Sequence, residues 1–259
     1  MKKVLVVFGS ISDEAVFDEI ISGLKEEKVP YDARICSAHR TPDELDALLR
    51  GNYSVIIAGA GLAAHLPGVC ASKSILPVIG VPVSNNYQGL DSLLSIMQMP
   101  PGIPVLSVGV DKGREAAKMA ALMHMQYKNV HLFLNEKDKA AKKAIDILKE
   151  FNVPYEINPE FRANSLNISF VTLNESAKDD SLSIYVPIND GSGMAEASLN
   201  LLRMTSNGLW VGLNRGENAA LAAVEILAIT DMSLRQKIIA YRKKHAEKVK
   251  DDNMKVKSK

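Results

Sequence analysis

Ser37-Ala38-His39-Arg40-Thr41-Pro42 sets a hydroxyl, an imidazole and a guanidinium side by side. An imidazole titrates near neutrality, so it can give and take a proton within one cycle. The guanidinium offers a permanent charge for a phosphate, although Arg40 could instead pair with Asp43 or Glu44 at the surface. A second group, Gly9-Ser10-Ile11-Ser12-Asp13, combines two hydroxyls and a carboxylate at a strand end. Free N–H groups at the start of a helix favour an anion, so this turn can cradle a phosphate, with Asp13 on a ribose diol. The competing reading is that Ser12 or Asp13 only caps the helix. The third group, Gly59-Ala60-Gly61-Leu62-Ala63-Ala64-His65, is a run of small residues that ends in a second imidazole. Small residues let backbone approach a ligand, but they serve tight helix–sheet packing equally well, and His65 could simply cap or pack a helix start.

The surrounding pattern says how these groups are held. Residues 4–8 are a continuous apolar run of strand length, and Val16, Ile20 and Leu24 then recur at helical spacing until Val29-Pro30. Residues 31–36 form a second strand, and Pro42-Asp43-Glu44 opens a helix. The alternation continues with strands at residues 55–58, 76–83 and 105–110 and helices ending near Lys73, spanning 89–99 and spanning 112–127. Repeated β-α units predict an α/β fold, a doubly wound parallel sheet of the flavodoxin or Rossmann kind, with helices on both faces. The three polar turns each follow a strand and should meet at one sheet edge, where open α/β sheets bind ligands.

The second half repeats the first with its polar turns erased. Lys28-Val29-Pro30-Tyr31-Asp32 is echoed by Asn152-Val153-Pro154-Tyr155-Glu156, Val81-Pro82-Val83 by Val186-Pro187-Ile188, and Lys112-Gly113-Arg114-Glu115-Ala116-Ala117 by Arg215-Gly216-Glu217-Asn218-Ala219-Ala220. Matching segments in the same order point to an internal duplication, with a seam near Tyr127-Lys128-Asn129 and units spanning residues 1–127 and 128–259. The chemistry is not repeated: Gly9-Ser10 faces Asn135-Glu136, the Ser-Ala-His-Arg turn faces residues 158–162, and the Gly-rich turn faces residues 172–176. A helical extension from Asp231 to about Lys250 belongs to the second unit alone, with Leu234, Ile238, Ile239 and Tyr241 as its apolar stripe.

Composition narrows the functional classes. The formal net charge is +1 over 259 residues, which removes the simplest electrostatic argument for a nucleic-acid or membrane partner. The five histidines and two cysteines show no metal-ligand spacing, and neither a Walker lysine motif nor a Gly-x-Gly-x-x-Gly after the first strand is present. No apolar run approaches the ~18 residues of a membrane span. Residues 4–8 are too short for a signal-peptide core, so the expected location is the cytoplasm with reduced thiols.

Taken together, the three turns resemble the PurE family of purine biosynthesis. Gly-Ser-x-Ser-Asp, Ser-Ala-His-Arg-Thr-Pro and Ala-Gly-x-Gly-x-Ala-Ala-His-Leu-Pro-Gly occur in the family's order, and the run from Gly89-Leu90-Asp91 through Met99-Pro100 also matches. The resemblance is close over about residues 3–123 and distant beyond, mainly at residues 218–250. It implies a mutase that converts N5-carboxyaminoimidazole ribonucleotide to 4-carboxyaminoimidazole ribonucleotide. The alternatives are direct carboxylation of aminoimidazole ribonucleotide by CO2, or a non-catalytic nucleotide-binding or scaffold protein. Direct carboxylases usually show an Arg-Ser-Asn-type turn at the His65 position and often Lys after the catalytic His, so Arg40 and His65 are similar to the mutase class. The resemblance makes His39 the proton shuttle and His65 its catalytic neighbour. It places Gly61 and Ala64 with His65 around CO2, Ser10, Ser12, Ser37 and Arg40 around the phosphate, Asp13 on the ribose, and Ala38 among the substrate-binding residues. It implies a ribonucleotide and CO2 as small-molecule partners and no metal or organic cofactor. It also implies a homo-oligomer, in which four two-unit chains could imitate the family's eight domains. The loop Val83-Ser84-Asn85-Asn86-Tyr87-Gln88 departs from the usual mutase loop.

Overall fold

The computed structural model describes residues 2–134, 139–158, 162, 164–173, 181–189, 191 and 193–257. The first half runs β1 (Lys3–Phe8), α1 (Glu14–Glu26), β2 (Tyr31–Ile35), α2 (Pro42–Leu49), β3 (Tyr53–Ala60), α3 (His65–Lys73), β4 (Val78–Pro82), α4 (Leu90–Met97), β5 (Leu106–Ser107) and α5 (Gly113–Leu122). The second half runs β6 (Val130–Phe133), α6 (Lys139–Phe151), β7 (Tyr155–Ile157), β8 (Leu166–Thr172), β9 (Ser183–Ile188), α7 (Met194–Met204), β10 (Leu209–Trp210), α8 (Gly216–Leu227) and α9 (Met232–Lys257).

One ten-stranded sheet joins all of it, in the order β2-β1-β3-β4-β5-β10-β9-β8-β6-β7. Pairing is parallel within each half and antiparallel at the centre, where Trp210 lies opposite Ser107. Read outward from the centre, the two halves have the same order. Val4 pairs with Tyr31 and Val55, and Val130 pairs with Tyr155 and Leu166. Side chains alternate across the pleat. Val4, Val6 and Phe8 enter one core beneath α1, α5, α6 and α8 that runs across both halves, while Leu5 and Val7 enter a second core beneath α2 and α3. A third cluster, with α4, α7, Tyr185 and Trp210, covers the centre. The doubly wound α/β sheet read from the sequence is present.

The halves repeat local chemistry as well as topology. Lys28 (φ 56°) and Asn152 (φ 55°) end α1 and α6 in left-handed backbone, as do Asp111 (φ 57°) and Asn214 (φ 59°) at the turns before α5 and α8. The Asp111 carboxylate accepts from the Ser84 N–H at 2.8 Å, and the Asn214 carbonyl accepts from the Asn189 N–H at 3.1 Å. Each half also holds the other. Glu115 accepts from the Gly208 N–H at 2.8 Å, and Asn218 accepts from the Gly102 N–H at 3.0 Å.

Three sequence-based boundaries move furthest. The fifth strand keeps only two ladder residues, because the chain turns away after Val108 to reach the Asp111 bend. Its following helix stops at Leu122, where turns through His124 and Met125 carry the chain toward β6. The extension runs on to Lys257, supported by i,i+3 pairs between Glu247 and Lys250 and between Asp252 and Lys255. Ile239 leaves the expected stripe at 48% exposure. Leu234, Ile238 and Tyr241 fill the seven-residue stripe, and the neighbouring position points about 100° away.

Candidate active site

The first strand ends at Gly9, and the chain passes through a tight turn at residues 11–13 into α1. Here Ser10, rather than Ser12 or Asp13, is the cap. Its Oγ accepts from the Ser12 N–H at 3.2 Å and the Ser12 hydroxyl at 2.9 Å, and Asp13 makes no side-chain cap to α1. The Ser12 Oγ also lies 3.0 Å from Asp13 Oδ1, so the turn is a small polar cluster facing outward.

The second turn is locked by Thr41. Its hydroxyl accepts from the Ser37 N–H at 2.9 Å and donates to the Ser37 carbonyl at 3.2 Å, and Pro42 starts α2 with the dihedral a helix needs. The locked loop presents His39 and Arg40. Arg40 reaches across the sheet edge to the Gly9 carbonyl at 2.8 Å, and its backbone N–H donates to Ser37 Oγ at 3.3 Å. That contact ties the first two turns together, in place of the surface pairing with Asp43 or Glu44.

The third turn is strained. Leu62 (φ 55°) and Ala64 (φ 33°) both occupy the left-handed region, which side chains other than Gly rarely adopt. The Ser95 hydroxyl on α4 donates to the Ala63 carbonyl and holds this backbone in place. The result puts His65 first in α3, with the helix start left free of any side-chain cap.

His39 Nε2 and His65 Nδ1 stand 2.9 Å apart, with their rings edge to face at 5.0 Å between centroids. One nitrogen donates and the other accepts, and either assignment satisfies the pair. A proton taken up at the free nitrogen of one ring can therefore be balanced by one released from the other.

The three turns surround a cleft of about 390 Å³ at the carboxyl edge of β1, β2 and β3. Ser10, Ser12, Asp13, Ser37, Ala38, His39, Arg40, Gly61, Ala64 and His65 all line it. Gly9 and Leu66 flank the anticipated residues in the wall, and Leu62, Ala63, Ala60 and Asn85 complete it without having been singled out. Ala60, Leu62 and Ala63 belong to the Gly-rich run, so their place was implicit. Asn85 sits in the loop after β4 that departs from the resembling family, and that departure was its only signal. Among the described residues no group of three or more His, Cys, Asp or Glu could hold a metal ion. Residues 135, 136, 159–161 and 174–176, which correspond in sequence to the polar turns of the first half, lie outside the described residues.

The sequence has relatives among known proteins. The chain is 51% identical over 125 residues to the N5-carboxyaminoimidazole ribonucleotide mutase of Pyrococcus abyssi, covering 46% of this chain and 72% of that protein. It is 43% identical over 144 residues to the enzyme of the same name from Methanocaldococcus jannaschii, covering 55% and 92%. Similarity to a probable N5-carboxyaminoimidazole ribonucleotide mutase of Methanobrevibacter smithii is 36% over 182 residues, 68% of this chain and 54% of that one. The sequence model of AIR carboxylase matches residues 3–140, which include all three turns and every residue that lines the cleft. On that match the chain belongs to the AIR carboxylase family.

Proposed function

We propose that this chain is an N5-carboxyaminoimidazole ribonucleotide mutase of purine biosynthesis. The observation that carries the reading is the 2.9 Å pairing of His39 with His65 inside a cleft that also presents Arg40 and the Ser10 and Ser37 hydroxyls. Arg40, Ser10, Ser12, Ser37 and the Ala38 backbone take the phosphate, and Asp13 takes the ribose hydroxyls. Gly61 and Ala64 leave room beside His65 for CO2. His39, as imidazolium, protonates the carbamate nitrogen, and the N–C bond breaks to give CO2 and aminoimidazole ribonucleotide. The ring carbon C4 attacks the held CO2, and neutral His39 removes the C4 proton, restoring product and imidazolium together. Holding CO2 against C4 makes the second step effectively intramolecular.

The second half serves as a degenerate copy. The repeated strand order, the paired left-handed turns and the reciprocal Glu115 and Asn218 contacts support a duplication with units at residues 1–127 and 128–259. Four such chains would imitate eight domains in a homo-oligomer, working in the cytoplasm. No helix among the described residues is long and apolar enough to cross a membrane.

Purified chain given N5-carboxyaminoimidazole ribonucleotide should form the 4-carboxy product without added CO2. Turnover only from aminoimidazole ribonucleotide with dissolved CO2 would replace the mutase by the direct carboxylase.

A further inference from the structure

The helix that carries His65 is held from its far end by the other half of the molecule. Arg242, on α9, donates through Nη1 to the Ala71 carbonyl at 2.6 Å and the Ser74 carbonyl at 2.5 Å. Its Nη2 donates to Glu225 Oε1 on α8 at 2.7 Å. The Glu225 side chain is 3% exposed and that of Arg242 15%, so the contact is made away from water. A cation on the last carbonyls of a helix is favourable, and a planar guanidinium fixes direction as well as distance. The α9 helix is itself seated by buried Leu234 and Ile238, by the Tyr241 ring 5.4 Å from Phe151, and by Lys237 on the Phe151 carbonyl.

We propose that Arg242 is a positioning residue for the histidine pair, setting the axial placement of α3 and thereby the approach of His65 to His39; this rests on the mutase reading of the cleft. About 9 Å of helix separates Ala71 from His65, a span that acts as a rigid rod. The other end of the rod is strained backbone at Ala64, held by Ser95 through the Ala63 carbonyl; buried Leu66, Cys70 and Ala71 press α3 onto the sheet, and a strained turn without a side-chain cap does not by itself fix its position along the axis. The asymmetry of the chain agrees with this role. The first half has no tail helix of its own, since α5 leads directly to β6, so the half that carries the histidines takes its clamp from the second.

Arg242→Gln and Arg242→Lys in the 259-residue chain test the assignment. A folded Arg242→Gln should lose about tenfold or more in kcat, the scale on which misplacement of reacting groups acts. KM for the ribonucleotide should stay within about threefold, because the phosphate groups sit on β1 and β2 turns that Arg242 does not touch. The imidazole ¹⁵N resonances of His65 should shift, and Arg242→Lys should recover part of kcat. A purely structural role would lower the melting temperature while leaving kcat per folded molecule and the His65 resonances alone, and that result overturns the proposal. If Arg242→Gln does not fold, a folded Arg242→Lys with wild-type kcat and resonances overturns it instead. Should the wild type turn over neither substrate, the mutase reading fails, while the His65 resonances still decide whether Arg242 positions α3.

Discussion

At the scale of single residues the account turns on His39. In the proposed mechanism it serves as acid and then base in one turnover, so a side chain of similar shape that cannot exchange a proton should stop the chemistry without emptying the cleft. His39→Asn is expected to reduce kcat by about a hundredfold or more, with the ribonucleotide dissociation constant changed only a few-fold, as rapid-quench and calorimetric titration would show. Equal losses in both would make His39 a binding group. All ten anticipated site residues line one cleft, because polar groups placed after successive parallel strands have nowhere else to converge. What the letters could not give was contact. The Arg40 bond to the Gly9 carbonyl, the His39–His65 pair and the Ser95 tether all join residues distant in sequence, and each depends on how the turns lie against one another.

At the scale of elements, the buried Glu225 between α8 and α9 makes the clamp sensitive to pH. Burial pushes its carboxyl up from the ordinary 4.5 to about 7, with the Arg242 charge pulling the other way. A carboxyl that holds its proton more tightly in the folded chain favours folding fully below pH 4.5 and loses that contribution as pH rises through about 7. The urea midpoint should therefore fall across that window, and Glu225→Gln should flatten the slope; an unchanged slope would show that Glu225 titrates alike folded and unfolded. Most elements were legible because buried strands are continuous apolar runs and α1 repeats its apolar residues every four positions. The ends were not. The last turn of α5 and the short β5 are set by tertiary bonds from His124 to Ser54 and from Asp111 to Pro82, which no local pattern announces.

At the scale of the whole molecule, the echo between matching segments of the two halves could be read in the sequence, but the joining of those halves edge to edge in one sheet could not. The central pairing of Trp210 with Ser107 is antiparallel and short, and it is surrounded by contacts made only after both halves exist. One core continues beneath both halves, so they should unfold together. Trp210 is the sole tryptophan, fully buried at the centre against Tyr185, and reports on the joint directly. Its fluorescence and far-ultraviolet circular dichroism should trace one coincident transition in urea, whereas separate midpoints would mean that the halves fold independently. The central claim, that the first half shelters CO2 between two bond changes, is tested most directly with N5-carboxyaminoimidazole ribonucleotide labelled in its carboxylate, turned over in excess unlabelled bicarbonate. The mutase predicts 4-carboxy product that keeps the label. Unlabelled product would contradict the sheltered transfer and assign direct carboxylation, and no product from either substrate would leave a nucleotide-binding protein.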